Sequence, residues 1–296
     1  MASPEVFDAL STRAKDFYEE NGYVQLRLAH LPDFAGACEA AYAVSYRMVG
    51  SPTKAQAAFA NKDGVARHLV GILQEKDPAF RMVLQHPTLV DAYRGILERP
   101  QLVFTHAKIS FKMPRQAVPW FPHQDNGYKP LATASARRAL AVFVFLEHAG
   151  ERDGTVELFP GSHRLGTLEH TKVREDPVRG DYQLALRDPI DMPSVFVEGR
   201  AGDVLLFDGD MIHRSGISRG SSHRIALIAE VEPSIAHRLD AFGRKPQLAS
   251  GSWSAADRCV FAVKSLCSPR RYWQIVRHVP PVAAAVRWVK ATRDKT

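Results

Sequence analysis

Apolar and polar positions alternate with a helical period over the first third of the chain, from residue 4 to about residue 99. Val6, Leu10 and Phe17 fall on one face of a first predicted helix, and the Asn-Gly step at 21–22 is a stop signal for it. We therefore expect a helix that starts close to the N-terminus and ends near residue 22.

Further helices are predicted beyond a short strand. Residues 23–26, Tyr-Val-Gln-Leu, alternate as a half-buried strand does. A second helix is expected over residues 33–48. Residues 69–97 have the pattern of short helices broken at Pro78 and Pro87. The front third of the chain is therefore predicted to be a helical layer.

The pattern changes after Pro100 to short apolar runs bounded by Gly, Pro and Asp. Five of these runs predict strands: LVFTHAKISFKM, RALAVFVFLEH, TVELFP, DVLLFD and RIALIAEVE. No helical pattern lies between most of them, which favours an antiparallel sandwich or barrel over a fold of alternating strands and helices. The predicted fold class is α+β, with helices that buttress a jelly roll.

Length and composition are those of a soluble globular protein. Of the 296 residues, 45% are hydrophobic and 24% are charged. We predict one domain over residues 1–257, with a helical layer at 1–99, a jelly-roll core at 100–235 and a separate tail at 258–296. The polar start and the lack of a long apolar run predict neither a secretion signal nor a membrane-spanning helix, so a cytoplasmic location is expected. An odd count of three cysteines argues against a disulfide framework.

The net charge of +7 is concentrated in residues 258–296. That segment holds nine of the 39 basic residues and one of the 32 acidic residues, which leaves 30 basic and 31 acidic residues elsewhere. Val282, Val286 and Val289 share one helical face, so the tail is predicted to be amphipathic. Two interpretations stay open: residues 270–296 contact an anionic membrane surface or guide an anionic substrate, or the helix packs on the core. Nucleic acid is not an expected partner, because the remaining chain is slightly acidic and has no recognisable binding module.

Candidate metal chemistry begins in the segment PWFPHQDNGY, residues 119–128. On a strand, His123 and Asp125 project to the same side and reach one ion. The segment GDVLLFDGDMIHRSG adds His213 at the start of a further strand, which a closed roll brings alongside the first pair. Two imidazoles and one carboxylate leave three positions open on an octahedral ion, as in non-haem Fe(II) oxygenases. The alternative interpretation is a solvated loop beside a core histidine.

Arg224 follows His213 by eleven residues and enters an apolar strand without an acidic neighbour. Because a buried unpaired charge is costly, this arginine predicts an anionic ligand, and its guanidinium fork matches the distal carboxylate of 2-oxoglutarate. An exposed arginine at a strand end is the alternative. Asp208 and Asp210 are interpreted as turn residues, and His223 is expected to face away from Arg224 and the site.

Three blocks carry a family resemblance: WFPHQD, DGTVELFPGSHRLG, and GDVLLFDGDMIHRSG followed by Arg224. Together with the opening FYEENGYV, they resemble the phytanoyl-CoA dioxygenase-like branch of the Fe(II)/2-oxoglutarate-dependent oxygenases. The resemblance implies a cupin-like double-stranded β-helix that uses Fe(II), 2-oxoglutarate and O2. It implies His123, Asp125 and His213 as iron ligands, and Arg224 with Ser215 as the clamp on the distal carboxylate of 2-oxoglutarate.

One position of the family pattern is unmatched. Many members carry a small polar residue near Ala141, where it helps to hold the cosubstrate. His106, Lys108, Ser110 and Lys112 share one face of a predicted strand. We therefore expect His106 or Lys108 to contact 2-oxoglutarate or substrate, and an exposed polar face is the alternative.

The surroundings of the predicted metal pair are aromatic. Trp120, Phe121 and Tyr128 are expected to wall a dry pocket, or alternatively to pack the core. His163, in the loop that matches the family, is expected to be a scaffold residue rather than a ligand. Residues 165–200 are expected to form a long excursion over the site that governs specificity.

The expected function is that of a non-haem Fe(II)/2-oxoglutarate-dependent dioxygenase. It would hydroxylate an unactivated C–H bond of a small or lipid- or sugar-linked substrate and release succinate and CO2. Asp125 stands where related halogenases bind chloride, so hydroxylation is the default outcome of the resemblance. Desaturation, epimerisation or cyclisation at the same site are alternatives, as is a non-catalytic jelly-roll binding module with a membrane-surface tail.

Overall fold

The computed structural model describes most of the predicted domain and none of the basic tail. The described residues are 5–50, 57–58, 68–74, 77–114, 119–128, 139–175, 182–221, 223–233 and 247–250. The predicted amphipathic tail at 258–296, with its predicted membrane contact at 270–296, lies outside them.

The described part of the chain forms four α-helices: α1 (Thr12–Asn21), α2 (Pro32–Gly50), α3 (Ala79–Leu84) and α4 (Pro87–Leu97). The predicted helix at 33–48 is confirmed within two residues at either end. The predicted breaks at the two prolines are also confirmed, since α3 follows Pro78 and α4 begins at Pro87, where proline suits the first helical turn. None of the helices in the described residues has the length and apolar character needed to cross a membrane.

Fifteen strands are described, and they include every strand predicted from the sequence. Their bounds are β1 (Val6–Phe7), β2 (Tyr23–Arg27), β3 (Ala57–Ala58), β4 (His68–Val70), β5 (Leu102–Lys112), β6 (Trp120–His123), β7 (Leu140–Phe145), β8 (Val156–Leu158), β9 (His170–Glu175), β10 (Tyr182–Leu186), β11 (Val195–Phe196), β12 (Asp203–Asp208), β13 (His213–Ser215), β14 (Arg224–Pro233) and β15 (Gln247–Ser250). The helical prediction for residues 69–70 is wrong, because they belong to β4 and pair with β5. A three-residue apolar run does not distinguish a strand from a helix turn.

Helix α1 shows which local signals were decisive. The Ser11 hydroxyl accepts a hydrogen bond from the Ala14 N–H at 3.2 Å, which starts the helix there and not near residue 6. Gly22 ends it with φ 79° and donates its N–H to the Tyr18 carbonyl. The predicted end is confirmed, and the predicted start is wrong because Val6 pairs in parallel with β2 instead.

Two sheets face each other in a jelly roll. The larger has the strand order β1-β2-β12-β7-β14-β5-β4-β3, with β15 also paired to β5, and the smaller has the order β11-β8-β13-β6. Strands β9 and β10 form a separate hairpin. Phe143 and Phe145 of the larger sheet share one apolar cluster with Val156 and Leu158 of the smaller. The fold is α+β with a cupin-like double-stranded β-helix, as predicted.

Strand β7 lies at the centre of the packing. Its residues Leu140, Val142 and Val144 join the cluster formed with the helices, whereas Ala141 and Phe143 face the smaller sheet. All six residues of the strand are buried, which explains its uninterrupted apolar run. The helices therefore cover one face of the larger sheet and leave the space between the two sheets for a site.

Replacing Gly22 with alanine is expected to lower the free energy of unfolding. The added methyl group would overlap the His163 ring and lie 2.6 Å from the Met211 methyl, at a backbone φ of 79°. We expect a loss of about 2 kcal/mol or more in urea denaturation. Gly36→Ala on α2 is the matched control, because nothing lies within 4 Å of its added methyl group. It is expected to gain about 0.5–1 kcal/mol, and equal changes in the two variants would contradict the assignment.

Candidate metal centre

Strands β6 and β13 place two histidines opposite each other. His213 is the direct partner of His123 in the antiparallel ladder, and the two ring centroids are 4.3 Å apart. Asp125 Oδ1 lies 3.8 Å from His213 Nε2. One potential ligand atom from each of the three residues lies within 4.8 Å of the others. The structure thus brings together the three residues that the sequence analysis selected.

Backbone carbonyls orient both imidazole rings. His123 Nδ1 lies 2.7 Å from the Phe121 carbonyl oxygen, and His213 Nδ1 lies 3.1 Å from the Met211 carbonyl oxygen. A carbonyl only accepts, so each Nδ1 carries a hydrogen, and Nε2 is the ring nitrogen left to face a metal ion. Metal-binding histidines are commonly oriented in this way.

Asp125 reaches the cluster by a different route from the one predicted. Strand β6 ends at His123, and Asp125 begins a 3-10 turn over Asp125–Tyr128, so strand alternation is the wrong reason for the pairing. Asn126 ties this turn to the segment before β13. Its N–H donates to the Gly209 carbonyl at 2.9 Å and its amide donates to Asp210 Oδ1 at 2.9 Å.

Gln124 locks the backbone between the two predicted ligands. It is fully buried, and its amide nitrogen donates to the carbonyls of Gly166 and Asp210, both at 2.7 Å. Its amide oxygen accepts the Leu168 N–H at 2.7 Å, and its own N–H donates to His170 Nε2 at 3.0 Å. Sequence reasoning missed this residue because its partners lie 42 to 86 positions away, where no periodic pattern reports them.

Burial keeps His123 in its neutral form. Desolvation lowers the pKa of His123 to about 3, with a further lowering by the neighbouring His213, while the Asp125 carboxylate acts in the opposite direction. His123 is therefore neutral over the physiological pH range and presents a lone pair rather than a proton.

Arg224 is buried and lacks a full set of partners. It is 2% exposed, so the alternative of an exposed strand-end arginine is wrong. Its two terminal nitrogens donate to the Gly154 carbonyl at 3.0 Å and to Ser110 Oγ at 2.9 Å. Its Nε has no hydrogen-bond partner among the described residues. Desolvation lowers the pKa of Arg224 to about 10, against the attraction of Glu147 and Asp153, so the group stays charged.

Ser215, the predicted second half of the clamp, is also buried. Its hydroxyl oxygen accepts a hydrogen bond from Lys112 Nζ at 2.9 Å, and the same ammonium donates to the Gly216 carbonyl. Lys112 is 2% exposed and pairs with Arg224 in the ladder between β5 and β14. Ser110 and Lys112 share the strand face on which His106 and Lys108 were selected, but the sequence analysis assigned neither of them to the site.

Lys108 lies close to the cluster on the same strand face. Its Nζ is 5.9 Å from the Trp120 ring centroid. Desolvation lowers the pKa of Lys108, opposed by the charge of Asp125 and then of Glu230. His106 lies opposite Glu230 in the ladder between β5 and β14. Lys108 is therefore coupled electrostatically to Asp125.

Two of the three predicted pocket aromatics contact the cluster. Trp120 lies 6.0 Å from the His123 ring, and Tyr128 lies 5.9 Å from it in an edge-on orientation. On its other side Trp120 stacks on buried His68, with centroids 4.8 Å apart and planes at 5°. Sequence reasoning did not select His68. Phe121 contributes its carbonyl to His123, and its side chain is partly exposed.

Other polar residues near the motifs lie outside the cluster. Asp208 Oδ1 accepts the Asp210 N–H at 2.8 Å, which is a turn contact. His223 Nε2 lies 3.1 Å from the Tyr42 hydroxyl. His163 packs beside Gly22 at the end of α1.

The excursion predicted at 165–200 contains regular structure. Within it, β9 and β10 form an antiparallel hairpin whose second strand contacts the motif that carries His123. The Leu184 N–H donates to the Tyr128 hydroxyl at 3.0 Å, and the Gln183 amide donates to the Pro119 carbonyl at 3.3 Å. The hairpin therefore contacts Tyr128, one of the predicted pocket residues.

The outer side of β13 is held by an ion pair. Arg214 faces away from the cluster, and its Nε and Nη2 each lie 2.7 Å from a carboxylate oxygen of Glu157 on β8. Glu157 is 3% exposed and also accepts the Ser194 hydroxyl at 2.6 Å. This bidentate geometry joins two strands of the smaller sheet directly behind His213.

These features define a cupin-like jelly roll with a cluster of two histidines and one carboxylate. The chain belongs to the phytanoyl-CoA dioxygenase family, whose model matches residues 18–226. It is 25% identical over 235 residues to a probable phytanoyl-CoA dioxygenase of Caenorhabditis elegans, with 74% of each chain covered. It is 30% identical over 158 residues to phytanoyl-CoA dioxygenase domain-containing protein 1 of Bos taurus, covering 52% of this chain and 51% of that one. The matches to the mouse, rice, zebrafish and Arabidopsis relatives also span only 51–56% of those proteins.

Solved structures show the same fold. The epimerase SnoN in complex with Fe3+, alpha ketoglutarate and nogalamycin RO is similar with a TM-score of 0.60 and 20% identity, over 82% of this chain and 95% of that one. EvdO2 from Micromonospora carbonacea var. aurantiaca, complexed with 2-oxoglutarate, is similar with a TM-score of 0.59 and 19% identity, over 78% of this chain and 94% of that one.

The depressed pKa of His123 predicts acid sensitivity of the metal-free protein. In the unfolded chain the group takes up a proton below its ordinary value of 6.5, whereas in the folded chain it does so only near 3. The unfolded state thus binds more protons between these values, and stability falls as the pH is lowered through that window. With chelator present, wild type is expected to lose about 2 kcal/mol more than His123→Gln between pH 7 and pH 4.5.

Urea denaturation at the two pH values measures this difference. His30→Gln is the matched control, since His30 is exposed, and it is expected to retain the wild-type dependence. An identical pH dependence in wild type and His123→Gln would show that the proton-free state of His123 does not affect folding.

Proposed function

We propose that the protein is an Fe(II)- and 2-oxoglutarate-dependent dioxygenase that hydroxylates an unactivated C–H bond of a small or lipid- or sugar-linked substrate. The observation that carries the proposal is the cluster of His123, Asp125 and His213 in the same jelly roll as the buried, incompletely bonded Arg224. Family membership and the ligands named for SnoN and EvdO2 support it.

The residues present fit an Fe(II) ion. Two imidazole Nε2 lone pairs and one carboxylate are the donor set of mononuclear non-haem iron oxygenases, and they leave coordination positions for a cosubstrate and O2. His123 and His213 would bind through Nε2, since their Nδ1 atoms are bonded to carbonyls. Asp125 would add the negative charge, and Gln124 would keep it in place through its bonds to the backbone of Gly166, Leu168 and Asp210.

The residues present also fit 2-oxoglutarate. Arg224 would hold the distal carboxylate together with the hydroxyl of Ser215, while the 2-oxo acid end would reach the metal. An unbonded Nε in a side chain that is 2% exposed is costly, and a carboxylate would remove that cost. Ala141 lies in the apolar cluster, so other groups must replace the small polar residue of the family pattern.

When bound, Fe(II), 2-oxoglutarate and O2 would supply the oxidising chemistry, in which 2-oxoglutarate and one oxygen atom of O2 yield succinate and CO2 and the other oxygen atom enters the substrate. The protein would orient the reactants and keep water out. Trp120 and Tyr128 would wall the pocket, with Phe121 at its partly exposed side. Asp125 would leave no vacant ligand position for a halide, which favours hydroxylation over halogenation.

Lys108 would bind an anionic group, either on the substrate or at the near end of 2-oxoglutarate. Its ammonium group makes no hydrogen bond or ion pair among the described residues and lies beside Trp120. His106 lies two residues before Lys108 on the same strand face and would contact a larger substrate. Membrane contact through residues 270–296 and a cytoplasmic location stay predictions.

Anaerobic titration with Fe(II) and 2-oxoglutarate tests the function. The chelate gives a weak visible absorption band, which is expected in wild type and lost in His213→Ala because one ligand is removed. His30→Ala is the control and is expected to retain the band. Absence of the band in folded wild type would contradict the proposal. With a substrate in hand, product mass separates hydroxylation from desaturation, epimerisation and cyclisation.

Removing the charge of Arg224 is expected to weaken 2-oxoglutarate binding selectively. Arg224→Met should raise the 2-oxoglutarate concentration for half-maximal chelate formation by about 100-fold, because a charge-assisted bidentate contact is lost. Fe(II) binding without 2-oxoglutarate should stay within about twofold of wild type. Arg187→Met, at an exposed pair with Glu169, is the control. An unchanged 2-oxoglutarate requirement would remove Arg224 from its assigned role.

A further inference from the structure

We propose that Lys112 is a second cationic anchor for the distal carboxylate of 2-oxoglutarate and that it holds the Ser215 hydroxyl as a hydrogen-bond donor to that carboxylate. This inference rests on the proposed function and deepens it by assigning a further positioning residue to the cosubstrate subsite.

The ends of two neighbouring strands place two positive charges together. Lys112 is the last residue of β5 and Arg224 is the first residue of β14, and they are direct partners in the antiparallel ladder. Both are 2% exposed. Direct partners on one face of a sheet lie close together, so the two side chains enter the same region between the sheets.

The contacts of Lys112 fix the role of Ser215. Lys112 Nζ lies 2.9 Å from Ser215 Oγ and also contacts the Gly216 carbonyl. An ammonium group has only donors, so the Ser215 oxygen accepts and its own proton must point elsewhere. Lys112 thereby makes Ser215 a donor, as a carboxylate ligand requires.

Arg224 has the same relation to Ser110. Its Nη2 donates to Ser110 Oγ at 2.9 Å, so the Ser110 proton also points away from the cation. Each buried cation therefore orients one hydroxyl group. Two donor hydroxyls and the unbonded Nε of Arg224 surround the place where the distal carboxylate would lie.

Gly154 joins the two halves of this arrangement. Its carbonyl oxygen accepts from Arg224 Nη1 at 3.0 Å. A methyl group added at Gly154 would lie 3.0 Å from Lys112 Nζ and 2.8 Å from the Gly216 carbonyl oxygen. The residue has φ 68°, which also favours glycine. Only a residue without a side chain lets both cations approach the same stretch of backbone.

Charge gives the arrangement its selectivity. Two buried cations repel each other and each is costly to desolvate, so an anion between them stabilises both. A 2-oxo acid with an uncharged distal group supplies no such stabilisation. Lys112 should therefore raise the preference for 2-oxoglutarate over 2-oxopentanoate, which has a methyl group in place of the distal carboxylate.

Chelate formation with these two acids tests the inference without any turnover. In Lys112→Met, the 2-oxoglutarate concentration for half-maximal chelate formation is expected to rise about 10- to 100-fold, whereas that for 2-oxopentanoate should change by less than about twofold. Lys15→Met is the control, because Lys15 lies on α1 and forms an exposed ion pair with Glu98. It should leave chelate formation with both acids unchanged.

A double-mutant cycle distinguishes an effect of Lys112 through Ser215 from a direct effect of its charge. Because Lys112 acts through Ser215, the double variant Lys112→Met, Ser215→Ala should lose clearly less affinity for 2-oxoglutarate than the product of the two single fold-changes. Lys112→Gln keeps a donor for the Ser215 oxygen without the charge. Its expected effect is intermediate, and it decides the question if Lys112→Met does not fold.

The outcomes separate this inference from the proposed function. No chelate with either acid in folded wild type overturns the proposed function. If wild type forms the chelate normally and the Lys112 variants bind both acids equally weakly, Lys112 has only a structural role. That result overturns the inference and leaves the proposed function intact. Unchanged affinity for 2-oxoglutarate in Lys112→Met does the same.

Discussion

The ladder between β6 and β13 is the constraint on which the candidate site depends. It sets His213 directly opposite His123 in a strand of only three residues. A slip by one position would turn Arg214 inward and His213 outward, because successive side chains on a strand face opposite sides. The register is held from the flanks, since Asn126 and Gln124 both bond the backbone or side chain of Asp210, just before the strand. Geometry at the cluster is thus a property of loops as much as of strands.

The two proposed ends of the candidate site are both buried and have opposite electrostatic character. At the cluster, desolvation keeps His123 neutral, which leaves a lone pair for a positive ion. At the proposed far end, Arg224 keeps its charge despite burial and donates hydrogen bonds to Ser110 Oγ and to the Gly154 carbonyl. A molecule with one end that donates electron pairs to a metal and another end that is anionic matches both. This complementarity links family membership to the particular residues of this chain.

Sequence alone was informative wherever a structural feature depends on neighbouring residues. The end of α1 at Gly22 and the buried run of β12 follow from backbone freedom and apolar content within a few positions. The association of His123 and Asp125 was foreseen for the wrong reason, since a 3-10 turn and not a strand carries the acid. Lys112 was passed over although its strand face was recognised. Its relation to Arg224 depends on the register of β5 against β14, which brings together residues more than a hundred positions apart.

The ion pair between Arg214 and Glu157 affects the entropy cost of ligand binding. It ties β13 to β8 on the side away from the cluster, with two contacts of 2.7 Å and a carboxylate that is 3% exposed. The strand that carries His213 and Ser215 is therefore already ordered before anything binds. Conformational entropy that a flexible segment would lose on association has been lost during folding instead. A ligand of the proposed site would therefore lose little affinity to the ordering of this strand.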